Sequence, residues 1–278
     1  MRRGVLTVAA MACALVGAGT ATGDGGPGPG VVFGWTGITH GNMRYVTVPS
    51  PSWTTVEAIQ RDGGKVWGTL NVEGQWGIPL VSYDGTTGGL LPDGRTLLLA
   101  EATAGPSLRS QSRFMFVDVK KMHQLRTFAL RGDFSYDALS PDGRYLYLIE
   151  HTTAKDLTQY RVRAYDLRAR RLLSRIVADR RSWDTTMSGT AITRLSTHGW
   201  AYTLYGGSSS LPFIHALDTL HVSAVCINMP WKYQPDDIWN YRLQTDGDGH
   251  LVVRGPHGRA LVTIDRRSFR VLSFVSKP

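Results

Sequence analysis

From residue 31 onward the apolar residues fall in short runs cut by Gly, Pro and Asp. Two runs are near copies, LLPDGRTLLLAEA at 90–102 and LSPDGRYLYLIEH at 139–151. In each, Pro fixes φ and Gly accepts a positive φ, so Pro-Asp-Gly reads as a tight turn before a strand. The strand after it, TLLLA or YLYLI, is apolar at successive positions. A sheet with one wet face would alternate, so both faces of this strand are expected to be covered.

The turn glycine recurs at 41, 94, 143, 199 and 249, in steps of 53, 49, 56 and 50. A second marker follows the later copies: an apolar strand ending in Asp, a polar turn, then another apolar strand. Its Asp residues are Asp118, Asp166, Asp218 and Asp265, and Gln60 stands in the degenerate first copy. Five units of roughly fifty residues fill 31–278, a period typical of a propeller or solenoid. Each unit offers four strands, A to D, with the turn between A and B and the Asp at the end of C capping the C–D turn. Strands apolar on both faces favour blades stacked in a closed ring, which also protects the sheet edges.

The pattern SPDGRYLYL … AYDL resembles the secreted bacterial β-propellers of the YncE-like and TolB-like type, broadly WD-repeat-like, over nearly the whole of 31–278. The resemblance implies an all-β propeller; family members with six or seven blades set the alternative to the five counted here. It implies no single function, since such rings host binding proteins and enzymes alike. Strand A of the first unit is assigned to VVFGWTGI and strand D of the last to RVLSFV, so the ring is expected to close by packing without a borrowed strand.

Composition adds location. Residues 1–23 read as a signal peptide: Arg2 and Arg3, an apolar run, then small residues. Residues 24–30 are a Gly/Pro-rich leader, and the expected location is secreted and extracellular. The apolar run is too short for a membrane span, no other segment suits one, and the residues before Cys13 fit a lipid-attachment box poorly. Removal of 1–23 leaves Cys226 as the single cysteine, which excludes an internal disulfide. The formal charge is +9, from 25 Arg and 6 Lys against 22 acids, and eight Arg fall within 161–181. No nucleic-acid motif accompanies them, so nucleic acid is not the expected partner and the cluster reads as a solvated strand face.

The candidate chemistry lies in the segments assigned as D–A loops: 75–85, 131–138, 178–189 and 229–240. Each places an aromatic beside or near Asp: Asp84 after Tyr83, Tyr136 with Asp137, Trp183 with Asp184, and Asp237 near Trp239. Glu101 and Glu150, each seven residues after its turn glycine, and His151 are assigned to the same rim. Aromatic faces stack on sugars and carboxylates accept hydroxyl bonds, so the rim is a candidate mouth for a glycan or an extracellular protein partner. The expected function is non-catalytic recognition, with no catalytic residue assigned. The competing class is a metal-dependent lactonase-type hydrolase or a glycoside hydrolase, for which converging carboxylates and His151 could hold Ca²⁺. No local ligand spacing supports a metal. Residues 245–250 begin like a calcium loop, but position twelve is His257 instead of Glu, so the segment reads as a turn.

Overall fold

The structure, a computed structural model, describes residues 30–102, 108–156, 159–181, 185–206 and 211–276. The segment read as a signal peptide lies outside these residues. The chain is an all-β propeller of five consecutive antiparallel sheets. A two-residue strand β1 (Val31–Val32) precedes the first blade. Blade 1 contains β2 (Ile38–His40), β3 (Met43–Pro49), β4 (Trp53–Gln60) and β5 (Val66–Glu73). Blade 2 follows as β6 (Trp76–Pro79), β7 (Thr96–Glu101), β8 (Gln111–Asp118) and β9 (His123–Arg131). Blade 3 has β10 (Asp133–Leu139), β11 (Tyr145–His151), β12 (Gln159–Asp166) and β13 (Arg171–Ile176), with β14 (Met187–Ser188) added beside β12. Blade 4 is β15 (Thr190–Thr197), β16 (Trp200–Gly206), β17 (Phe213–Asp218) and β18 (Ser223–Asn228). Blade 5 is β19 (Arg242–Thr245), β20 (Leu251–Arg254), β21 (Ala260–Ile264) and β22 (Val271–Phe274).

The second strands are buried on both faces, as their unbroken apolar runs require: Leu97, Leu98 and Leu99 in β7, and Leu146, Tyr147 and Leu148 in β11, are all fully buried. Odd and even positions serve different seams. Leu97 and Leu99 face blade 1, whereas Leu98 faces blade 3 with Leu146 and Leu148. Among the described residues, four apolar clusters join blades 1–2, 2–3, 3–4 and 4–5. In blades 2 to 5 the Asp at the end of the third strand caps the next turn, whereas blade 1 has Gln60 there. Asp118 Oδ1 accepts from Lys120 N and Lys121 N (3.0 and 2.9 Å), and Asp166 Oδ1 from Arg168 N and Ala169 N (2.9 and 2.8 Å). The register places Asp118 opposite Thr96 and Asp166 opposite Tyr145, so A–B and C–D turns share one rim.

The first strands differ from expectation. Val31–Val32 pairs with β6 of blade 2, and strand A of blade 1 is Ile38–His40 alone. Gly34 and Gly37, at φ +66° and +40°, break the run between them. The segments 75–85 and 131–138, expected as loops, contain the first strands of blades 2 and 3. Their polar residues reflect the ring axis, which first strands line. Blade 5 is built from the last four strands only, so no strand is borrowed.

Blade 2 carries an insertion. β6 pairs with one end of β7, while Gly89 and Leu90 pair with the other, Leu98 N donating to Gly89 O at 2.8 Å. Between them residues 80–87 fold into a hairpin, with Val81 N bonded to Thr86 O. The hairpin crosses to blade 4, where Tyr83 N and Asp84 N donate to Ala191 O and Ile192 O (2.8 and 3.1 Å). Gly89 rejoins the sheet at φ +100°, where a Cβ would stand 2.5 Å from Leu98 O. Gly89→Ala is therefore expected to cost about 1–3 kcal/mol in urea unfolding. Gly85→Ala, at φ +86° in open space, should cost less; equal losses would show that the close backbone approach does not fix this glycine.

Candidate functional site

The hairpin changes which end of the axis is open. Its tip is held by Asp84, whose Oδ1 accepts from Ser82 Oγ (2.8 Å), Thr86 N (3.1 Å) and Thr86 Oγ1 (2.7 Å). Asp84 Oδ2 lies 3.7 Å from Arg242 Nε of blade 5, and the Tyr83 ring meets Trp239 at 4.9 Å between centroids. Asp237 accepts the Tyr241 hydroxyl bond at 2.9 Å. Asp84, Asp237 and Trp239 thus fasten the hairpin and the blade 4–5 connection.

The other assigned residues are placed apart from these. Glu101 accepts from Arg113 (2.9 Å) and Glu150 from Arg163 (2.7 Å), each within its own blade. The equivalence read from the repeat extends to their partners, which stand on the third strand in both blades. His151 is buried beside the Tyr160 ring. Trp183 and Asp184 lie outside the described residues. Among the described residues, one group of three metal-ligating side chains falls within 4.8 Å: Asp246, Asp248 and His250, in the A–B turn of blade 5. Asp246 there accepts from Asp248 N, His250 N and the His250 ring, the bonds a tight turn requires.

Tyr136 and Asp137 meet at the axis, deep inside the ring. β10 slips register between Tyr136 and Ala138, which leaves Asp137 as a bulge residue without a cross-strand partner. β15 carries a matching slip at Ile192. Between these bulges Asp137 and Arg194 form a buried ion pair. Arg194 Nη2 donates to Asp137 Oδ1 and Nη1 to Asp137 O at 3.1 Å, with side-chain exposures of 5% for Arg194 and 2% for Asp137. Desolvation and the adjacent guanidinium act oppositely on Tyr136, and desolvation prevails, pushing its phenol up to about 12.

This pair floors an axial cavity of about 330 Å³. Blades 1 to 4 supply its walls, including Thr87, Tyr136, Ser196 and Trp200. Pro92, Pro141, His198 and Gly199 of the A–B turns ring its mouth. It opens on the turn-bearing rim instead of the rim of the D–A segments, where the sequence places the candidate chemistry, because the hairpin occupies the axis towards that other rim. A second cavity of about 10 Å³ lies between Val81, Asp137 and His151. Asp137 lines both, and its Oδ2 has no hydrogen-bond partner among the described residues. Arg194, Thr203, His215 and Cys226 are directly opposite one another across blade 4, so they form a row running outward from the axis. Arg194 Nε, Thr203 Oγ1 and His215 Nε2 are buried and, among the described residues, also without a hydrogen-bond partner. Cys226 is a free thiol that burial pushes up to about 12, far from a reactive thiolate. Neither the Asp137–Arg194 pair nor the cavity has a local sequence signal, the pair joining residues 57 apart.

No protein-family profile matches the chain. No curated protein matches it in sequence. Among solved structures it is similar to TolB from Acinetobacter baumannii, at 11% identity and TM-score 0.42, over 79% of this chain and 50% of that one. BamB from Moraxella catarrhalis gives 16% and 0.35, over 82% and 62%. Hydrazine synthase from Kuenenia stuttgartiensis gives 20% and 0.41, over 66% and 46%. The chain thus spans less than two thirds of each of these three. Likeness at this level transfers no residue role and no activity. No helix among the described residues is long and apolar enough to cross a membrane.

Two outcomes test the axial cluster. Arg194→Met strands a buried carboxylate and should cost about 3–5 kcal/mol. The double variant Asp137→Leu/Arg194→Met should recover most of that in urea titration; no recovery would show that packing, not charge, dominates. Burial depresses the His215 imidazole from 6.5 to about 4. The unfolded chain therefore takes up a proton that the folded chain refuses, and stability present above pH 6.5 is lost as pH falls towards 4. The loss amounts to about 3 kcal/mol, and His215→Gln should flatten the urea midpoint across that window. An unchanged slope would place the titration elsewhere.

Proposed function

We propose that the protein is an exported, non-catalytic recognition module that takes the end of a neutral glycan into the axial cavity. Export is supported by the basic, apolar and small-residue order of residues 1–23. The cavity reading is carried by one observation: Asp137, whose buried Oδ2 has no hydrogen-bond partner among the described residues, lines an open cavity. Such an atom favours a ligand that donates a hydrogen bond. The carboxylate to which it belongs is neutralised by Arg194, so the floor holds no uncompensated charge and suits a hydroxyl better than an ammonium. Ser196, Thr87 and Thr197 add polar groups to the walls, and Tyr136 and Trp200 add ring surface. A volume of about 330 Å³ lies in the ordinary range for small-ligand sites. Glycoside hydrolysis by the usual route needs two carboxylates flanking the bond. Among the described lining residues Asp137 is the one carboxylate, and it is already bound to Arg194.

Calorimetric titration with a panel of neutral oligosaccharides checks the reading. Ser196→Tyr fills the cavity and is expected to weaken binding at least tenfold with little change in melting temperature. Binding that survives Ser196→Tyr but is lost in Tyr83→Ala would move the site to the opposite rim.

A further inference from the structure

The turns surrounding the cavity mouth carry a charge pattern that the axial site does not use. In blades 2, 3 and 5 the C–D turn begins with Asp followed by paired cations: Asp118-Val-Lys-Lys, Asp166-Leu-Arg-Ala-Arg-Arg and Asp265-Arg-Arg-Ser-Phe-Arg. The acids are committed inward. Asp118 accepts two turn N–H groups and the Arg95 side chain at 2.6 Å. Asp166 accepts two N–H groups, and Asp265 accepts from Ser268 N and Oγ, both at 2.6 Å. The cations project outward: Lys120, Lys121, Arg168, Arg170 and Arg267 are exposed, and among the described residues none of them is in an ion pair within 4 Å. Each of these three turns thus uses its negative charge to cap itself and leaves positive charge facing solvent. Three copies of this arrangement stand on the rim where the cavity opens, since each C–D turn adjoins an A–B turn.

We propose that this rim binds an acidic polysaccharide, its carboxylate or sulfate groups lying on the C–D turns of blades 2, 3 and 5. The proposal rests on the glycan reading of the cavity and adds the charge class of the chain outside it. The complementarity is electrostatic, between fixed outward cations and a regularly spaced polyanion. These three turns carry no exposed aromatic on which nucleotide bases could stack, and Phe269 is packed into the blade 4–5 cluster. The same turns carry no exposed large apolar side chain to enter a bilayer.

The test uses polygalacturonate as the acidic chain, a neutral oligosaccharide, single-stranded DNA, and vesicles of phosphatidylglycerol with phosphatidylcholine. The wild-type chain should bind polygalacturonate at low salt and lose it as salt rises. The variant Lys120→Glu/Lys121→Glu/Arg168→Glu/Arg267→Glu should bind it at least tenfold more weakly, and the corresponding Gln variant should fall between, both with unchanged melting temperature. Neutral-oligosaccharide binding should persist in both variants and disappear in Ser196→Tyr, so failure of the cavity and failure of the rim give different results. Equal polygalacturonate binding by wild type and Glu variant would overturn the proposal. So would DNA or vesicle binding stronger than polygalacturonate binding, by assigning the rim to another partner.

Discussion

Everything in this molecule depends on sheets that must be apolar on both faces. A blade in the middle of the ring touches a neighbour on each side, so odd and even positions of one strand serve different seams. Leu97 and Leu99 pack towards blade 1 while Leu98 packs towards blade 3. Second strands such as β7 and β11 are buried on both faces, and many of the polar groups gather in two places. One is the turn region, where Asp118 and Asp166 serve their own turns. The other is the axis, where first strands face each other at close range.

The axis therefore concentrates the buried polar chemistry, and it is organised by two strand irregularities. The bulge at Asp137 lets one carboxylate leave the regular alternation of β10 and reach Arg194 on the next blade. A buried pair of this kind is weak evidence for stability, because desolvation offsets the attraction. Its better-supported consequence is positional. Arg194 spans the floor of the cavity and heads the row that continues to Thr203 and His215. The hairpin at 80–87 acts on the same space from the other side, occupying the axis and bonding to the blade 4 backbone.

The sequence made the frame legible and hid the site, for a physical reason that separates the two. Second strands such as β7 and β11 are covered on both sides and read as apolar runs; turn glycines and capping Asp residues act through their own backbone and leave local signatures. That information gives the repeat and the five units, but not the crossing of Val31–Val32 to blade 2. First strands lack this signature because they line the axis, so SYDA at 135–138 and WGIP at 76–79 read as loops although they are strands. The same residue types, aromatic and Asp, turn out to do different work in different units. Asp84 and Asp237 tie down backbone and a neighbouring tyrosine, while Asp137 reaches across to another blade. Spacing within the repeat could place Glu101 and Glu150 in equivalent positions, but could not show that each would be met by an arginine of its own blade.

The division of charge follows from the same geometry. A turn Asp is most useful with its carboxylate folded back on the N–H groups that the turn leaves unsatisfied, so its charge is drawn inward. A Lys or Arg in the same turn has no backbone acceptor to satisfy and extends into water on a flexible stem. Such turns in blades 2, 3 and 5 leave exposed cations on this rim while their acids fold back on the backbone. The axis behaves in the opposite way: there the low dielectric enforces pairing, and Asp137 neutralises Arg194. A neutral floor inside a rim of outward cations is thus the natural outcome of placing capped turns outside and paired charges within.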